Sequence, residues 1–409
     1  TTTTATASAE SEEPSDKYFA VIHARVHTVT GPVLEDATVL CKNGRIEAIG
    51  ADVRLPDDCE VLDARGMNVY PGLVAAGSSG IFGGGDPRDS TNLFGLNMTL
   101  GLAAGITTAL AGNDVGKLTY GTTEGMLLRR NAFVNLRYDA GRPLDKAQLR
   151  ADLQRVRDYL RDVRRYEIDK QRDEDAKPPE KDWLKGKYEN YRKLLAGEAV
   201  AIAAANRAAE LLDYADLSER FGFHLVLRGA VEGWTVADRL GRAGIDAIVT
   251  PRATVPPDER TARPTGSTIE NAAKLREHGV TVAVVPGSTG IALWGLAGRD
   301  LFHLNMEAAF AVRGGMSNDD AIRAITIDAA RILGVDDQVG SLEVGKDADM
   351  LVCDGDLLHF MTQVHYTIVN GVVAYDKSNE SLFAHIRPEG EPAPVQFDDI
   401  WPRRLEWRD

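Results

Sequence analysis

From residue 67 to about residue 335 the chain alternates short runs fit for strands with longer runs fit for helices, and this alternation most narrows its fold. A strand, a crossover helix and a second parallel strand bury the strand on both faces. Such strands therefore read as near-continuous apolar stretches. Eight runs have this character: NVYPGLV (68–74), ITTALAG (106–112), GMLLRR (125–130), AFVNLR (132–137), AVAIAAA (199–205), HLVLRG (224–229), DAIVTP (246–251) and TVAVVPG (281–287). Eight βα units close into a (β/α)8 barrel, whose working residues stand at the C-terminal ends of the strands.

The flanks have a different period. Residues 18–50 alternate apolar and polar positions on either side of Asn43-Gly44, and residues 366–375 do the same around Asn370-Gly371. Asn-Gly between two such runs favours a type I′ hairpin, because both central residues need positive φ. The expected fold class is α/β: a (β/α)8 TIM-like barrel plus a small β-sandwich built from both termini. Residues 18–66 and 338–376 would form the sandwich and residues 67–337 the barrel.

Three further segments complete this division. A charged insertion at about 145–196 carries Leu149, Leu153, Val156, Leu160 and Val163 at helical spacing, then breaks at Pro178-Pro179 and resumes. Its charges alternate in sign, which marks a solvated helix face. Residues 1–17 read as a polar, low-complexity leader left by processing. Residues 377–409 form a tail with Trp401 and Trp407, expected to pack on the barrel or on a neighbouring subunit. Ser317, ahead of Asn318-Asp319-Asp320, is the expected N-cap of the last barrel helix.

A net charge of -14 argues against nucleic acid and anionic membranes, which both call for a basic surface. No apolar run approaches the roughly 20 residues of a membrane span. The compartment stays open: cytoplasmic, or exported after loss of an N-terminal signal. Cys41, Cys59 and Cys353, an odd count without close spacing, are expected to be small buried hydrophobes.

Pro71-Gly72-Leu73-Val74, the segment GSLEVGKDADMLV (340–352) followed by IVNGVVAYD (368–376), and the helix-like AIRAITIDAARILGV (321–335) together resemble the amidohydrolase superfamily, in particular its imidazolonepropionase-like branch. The resemblance covers residues 18–376 and implies a barrel that holds a catalytic divalent metal. A similar charged insertion occurs in that branch.

In that family a His-x-His pair follows Pro-Gly-Leu, and those places fall here at Gly77 and Ser79. The strand-five histidine falls at Ala204, in Ala203-Ala204-Ala205-Asn206-Arg207-Ala208. The strand-six histidine falls at Arg228 or Gly229, with Gly229 taken as the degenerate position. The strand-eight aspartate falls at Thr289, in Gly287-Ser288-Thr289. Zinc needs three or four N, O or S ligands and an open place for water. Glycine, alanine and neutral hydroxyls do not make that set. The expectation is therefore no metal, no cofactor and no catalytic residue: a pseudoenzyme acting as a structural or regulatory subunit, or as a small-ligand binder.

Ser78, Arg207, Arg228, Ser288 and His303 are the candidates for holding a small anion or carboxylate at the barrel mouth. Oligomerisation is expected, with itself or with an active paralogue. Two enzymatic alternatives stand beside this. One is an active imidazolonepropionase-like hydrolase of C–N bonds, cyclic amide or peptide-like, using another site. The other is a serine nucleophile in Gly77-Ser78-Ser79-Gly80 or Gly287-Ser288-Thr289-Gly290, which would need a histidine base that the sequence does not place nearby.

Overall fold

The structure is a computed structural model that describes residues 16–292 and 298–379. Its strands in chain order begin with β1 (Tyr18–His27), β2 (Val33–Lys42), β3 (Arg45–Gly50), β4 (Glu60–Asp63) and β5 (Asn68–Pro71). The barrel region supplies β6 (Leu73–Ser78), β7 (Ile106–Ala111), β8 (Asp114–Lys117), β9 (Leu127–Arg129) and β10 (Phe133–Asn135). It continues with β11 (Val200–Ala205), β12 (Leu225–Gly229), β13 (Asp246–Val249) and β14 (Val282–Val284). The chain returns through β15 (Met350–Cys353), β16 (Val364–Val369) and β17 (Val372–Asp376).

Both termini build one branched sheet, in the order β17-β16-β15-β5-β1-β2-β3, with β4 also on β1. Its core includes Val21, Val26, Val39, Ile46, Val69, Met350, Val352 and Ile368, so residues about 300 positions apart bury one another. Both Asn-Gly turns have the left-handed backbone their sequence calls for, with φ of 48° and 81° at Asn43-Gly44 and 51° and 70° at Asn370-Gly371. Ala348 ties them together: its N–H donates to Gly44 O at 2.8 Å, and its carbonyl accepts from Gly371 N at 3.0 Å. Cys41 and Cys353 are buried as expected; Cys59, just ahead of β4, is only partly so.

The run 68–74 is not one barrel strand. It divides at Gly72: β5 lies in the terminal sheet, between β1 and β15, and β6 opens the barrel. The terminal sheet thus extends past residue 66. Glycine allows the join, because a Cβ at Gly72 would lie 2.1 Å from Thr107 Oγ1 on β7.

The barrel wall is made of two arcs. β10, β11, β12, β13 and β14 pair in parallel, and β6 pairs in parallel with β7. After β7 the chain reverses, and β8 runs antiparallel to β7, as β9 does to β8. The run 125–130 therefore joins the wall through an antiparallel strand that the sequence did not announce. Asp114-Val115-Gly116-Lys117 is too short and too polar to read as a strand. Asn113 fastens the arcs: its side chain accepts from Phe133 N at 3.0 Å and donates to Phe133 O at 2.9 Å.

Strand alternation separates the two faces of the wall. Val74, Ala76, Leu110, Phe133, Ile202, Val226, Ile248, Ala283 and Val285 share one core and face the lumen. Leu73, Ala75, Ala201, Ala203, Leu225, Leu227 and Ala247 face the helices.

The insertion forms a helix at Pro143–Lys170 that buries Leu149, Leu153 and Val156, followed by Lys187–Leu195. Asp152 joins them, accepting from Lys187 Nζ at 2.7 Å and Tyr188 OH at 3.1 Å. Ser317 caps Asn318–Ala324, its Oγ accepting from Asp320 N at 3.1 Å. The expected single helix over 321–335 is two, Asn318–Ala324 and Ile327–Leu333. The break leaves Ile325 O free to accept from Val74 N of β6 at 2.8 Å. Trp401, Trp407 and most of the leader lie outside the described residues.

Candidate functional site at the barrel mouth

Where the chain leaves β6 and β14, backbone and side chains from the two ends meet. Ser79 N donates to Thr289 O at 2.8 Å, and the Ser79 and Thr289 hydroxyls are 3.4 Å apart. A Cβ on Gly77 would stand 3.4 Å from Thr289 Cγ2. Gly77, Ser79 and Thr289 thus come together at one side of the mouth. Ser78 is spent on the wall, its Oγ donating to Leu110 O at 3.1 Å. Ser288 turns back on its own loop, where its Oγ accepts from Gly290 N at 3.4 Å.

Across the mouth, Ala204 of β11 is paired with Arg228 of β12, and Ala205 with Gly229. Ile202 and Val226 face the lumen, so two residues on Ala204 and Arg228 do too. Gly229 faces away: its φ is 95°, and a Cβ there would lie 2.3 Å from Asn206 Oδ1. Of the two strand-six positions read from the sequence, Arg228 is the one on the lumen side. The residue is exposed at the open end, and desolvation by partial burial lowers its pKa.

Arg207 and His303 each have a carboxylate partner. Arg207 Nη1 donates to Glu232 Oε1 at 2.6 Å, which fixes the start of the helix Ala208–Phe221. Burial opposes the Glu232 charge, but the amides of Gly266 and Ala208 and the Arg207 guanidinium outweigh it and hold the carboxyl below its ordinary range. His303 Nδ1 pairs with Asp300 Oδ1 at 2.8 Å, and the other Asp300 oxygen accepts from Ala292 N at 2.9 Å. Arg207 and His303 are therefore scaffold at the rim.

Two arginines were missed. Arg252, just past β13, donates from Nε to Glu307 Oε2 at 2.8 Å and stacks over Phe310. Arg137 follows β10, between Leu136 and Tyr138, which both pack toward the helices, so alternation puts it on the lumen side. Only strand register could have drawn Arg137 out, since AFVNLR by itself leaves both faces open.

A divalent ion needs several anionic or imidazole donors around one point. Gly77 offers no side chain, Ser79 and Thr289 offer neutral hydroxyls, Ala204 a methyl and Arg228 a positive charge. Among the described residues no three His, Cys, Asp or Glu side chains are grouped closely enough to hold a metal ion. The mouth's donor set does not fit the family's metal. Among the described residues no histidine is hydrogen-bonded to Ser78, Ser79 or Ser288, whose hydroxyls bond to Leu110 O, Thr289 and Gly290 N.

Comparison with known proteins accords with the architecture. The amidohydrolase from Thermotoga maritima MSB8 shares the fold with a TM-score of 0.70 and 23% identity, over 88% of this chain and all of that one. The sequence model of the amidohydrolase family matches residues 198–376. The imidazolonepropionase of Picrophilus torridus is 36% identical over 70 residues, which is 16% of this chain and 18% of that protein. That of Shewanella baltica OS185 is 34% identical over 84 residues, or 20% and 18%. These curated matches span under a fifth of either relative. Residues 198–376 thus match the amidohydrolase family, the fold is shared with a solved amidohydrolase, and the short curated matches are to imidazolonepropionases.

Proposed function

We propose that this chain is a non-hydrolytic amidohydrolase-fold protein, a pseudoenzyme whose barrel mouth takes a small molecule instead of a catalytic metal. The observation that carries this reading is the register of Ala204 with Arg228. A methyl group and a guanidinium stand side by side on the lumen face, where metal chemistry calls for imidazoles. A fixed positive charge at that place repels a divalent ion and leaves no donor to offset the ion's lost hydration. Without a bound metal, no water at the mouth is brought to a pKa near 7.

The test is elemental analysis of the purified protein beside an assay on imidazolonepropionate, lactams and prolyl dipeptides. Less than about 0.1 equivalent of zinc, iron or manganese, with no turnover before or after added metal, is expected. One equivalent of chelatable metal, lost together with a hydrolase activity, would overturn the reading. The ligand-binding role extends to assembly: we infer a homo-oligomer or a mixed oligomer with an active paralogue. Light scattering at micromolar concentration checks this, and a monomer without a co-purifying partner counts against it.

A further inference from the structure

β10, β11 and β12 run in parallel register, with Asn135 beside Ile202 and Ala204 beside Arg228. Leu136 N donates to Ile202 O at 2.9 Å, which carries the β10–β11 pairing past the end of β10. Two residues beyond Asn135, Arg137 falls beside Ala204. Arg137, Ala204 and Arg228 thus form one lumen-facing row at the C-terminal strand ends, an alanine between two arginines. Strands about 4.8 Å apart set the two arginine backbones about 10 Å from each other. The methyl group of Ala204 leaves the space between them open.

The charges around this row do not cancel. Arg207, Arg252 and His303 each have their own carboxylate, in Glu232, Glu307 and Asp300. Arg137 and Arg228 are both exposed, and neither has a hydrogen bond or ion pair among the described residues. A chain of net charge -14 thus keeps an unpaired double positive charge at the open end of its barrel.

We propose that Arg137 and Arg228 form a clamp for a small-molecule oxyanion, a carboxylate or a phosphate, seated over Ala204. A guanidinium fork matches both groups in plane and spacing, and two forks from opposite sides engage one anion or the two ends of a small dianion. The proposal rests on the metal-free reading of the mouth, since it gives the same space to the ligand.

Isothermal titration of the full chain in low-chloride buffer tests it, with succinate, inorganic phosphate and neutral succinamide as probes. Saturable binding of succinate or phosphate, with none of succinamide, is expected, and the anion that binds identifies the class. Arg137→Met and Arg228→Met should each weaken binding at least tenfold, while Arg150→Met on the insertion helix leaves it unchanged. Ala204→Glu should abolish binding with an unchanged circular dichroism spectrum, because its own carboxylate fills the clamp. Absence of anion binding, or binding indifferent to Arg137→Met and Arg228→Met, would overturn the clamp. Metal content measured on the same samples separates the two ideas: a metal-free protein that binds no anion loses the clamp alone, and a metal-loaded one loses both.

Discussion

Lys117 Nζ lies 2.6 Å from Asp347 Oδ2, and the lysine is wholly buried. The same ammonium donates to Asp349 Oδ1 at 3.2 Å and Asn370 Oδ1 at 2.5 Å. Lys117 belongs to the unannounced strand β8 of the barrel wall, and its three partners belong to the returning terminal segment. One side chain therefore locks the two parts of the fold together. Burial pushes the Asp349 carboxyl up, against the pull of the lysine.

Removing Lys117 leaves the buried Asp349 carboxylate without a counter-ion, while Asp347, partly open to solvent, keeps only Arg45 at 3.7 Å among the described residues. Lys117→Met should destabilise the protein by about 3–5 kcal/mol, the range for breaking one side of a buried pair. Urea unfolding measures it. A loss under about 1 kcal/mol would mean that the interface is wet or that the lysine is replaceable.

Gly72→Ala should cost on the order of 1–3 kcal/mol by overpacking against Thr107. The contact is rigid because Thr107 is itself fully buried on β7. Thr107→Ala in the same chain should recover part of the loss, since it removes the two closest atoms. Thermal melts of the single and double variants decide this, and a neutral Gly72→Ala would contradict the close approach.

His224 Nε2 is 2.7 Å from Asp246 Oδ2, where β12 and β13 begin. That bond, working against partial burial, raises the histidine pKa above its ordinary 6.5. Folding therefore favours the protonated ring. The contribution is complete below about pH 6.5 and fades as pH rises through the raised value. Both groups are partly open to solvent, so its size stays below about 1 kcal/mol. The melting-temperature gap between the wild type and His224→Gln should be widest near pH 6 and narrow by pH 8. A gap that does not change with pH would refute the charged pair.

Gly77→His with Ser79→His should not create a tight zinc site. Two imidazoles leave the ion short of ligands, and Arg228 stays across the mouth. The imidazole at position 77 would also press on Thr289. Competition with a zinc-binding dye is expected to show affinity no better than the wild type's. A site of nanomolar strength in the double variant would show that the mouth is nearer to metal competence than its donors suggest.

Local chemistry was enough to place much of this fold. The two Asn-Gly turns, the Ser317 cap and the helical spacing around Leu149, Leu153 and Val156 all hold, because each depends on residues within a few positions of one another. The run 68–74 misled because NVYP and LVAAGS are equally apolar, and only the approach of Thr107 shows that the chain changes sheets at Gly72. The helix over 321–335 broke for a similar reason: Val74, some 250 residues upstream, claims the carbonyl of Ile325.

At the mouth, residue identity was written in the chain from the start. Gly77, Ser79, Ala204 and Thr289 are poor metal ligands wherever they sit, since donor chemistry belongs to the side chain. Which of Arg228 and Gly229 faces the lumen, and that Arg137 stands one strand away from Ala204, depended on strand register. The sequence could also name Arg207, Arg228 and His303 near the strand ends without saying which are spent. Pairing across the barrel decides that: Arg207, Arg252 and His303 meet carboxylates 3 to 55 residues away, and Arg137 and Arg228 meet none among the described residues. Charge in a folded protein is free or neutralised according to its neighbours in space, and only the tertiary structure supplies those.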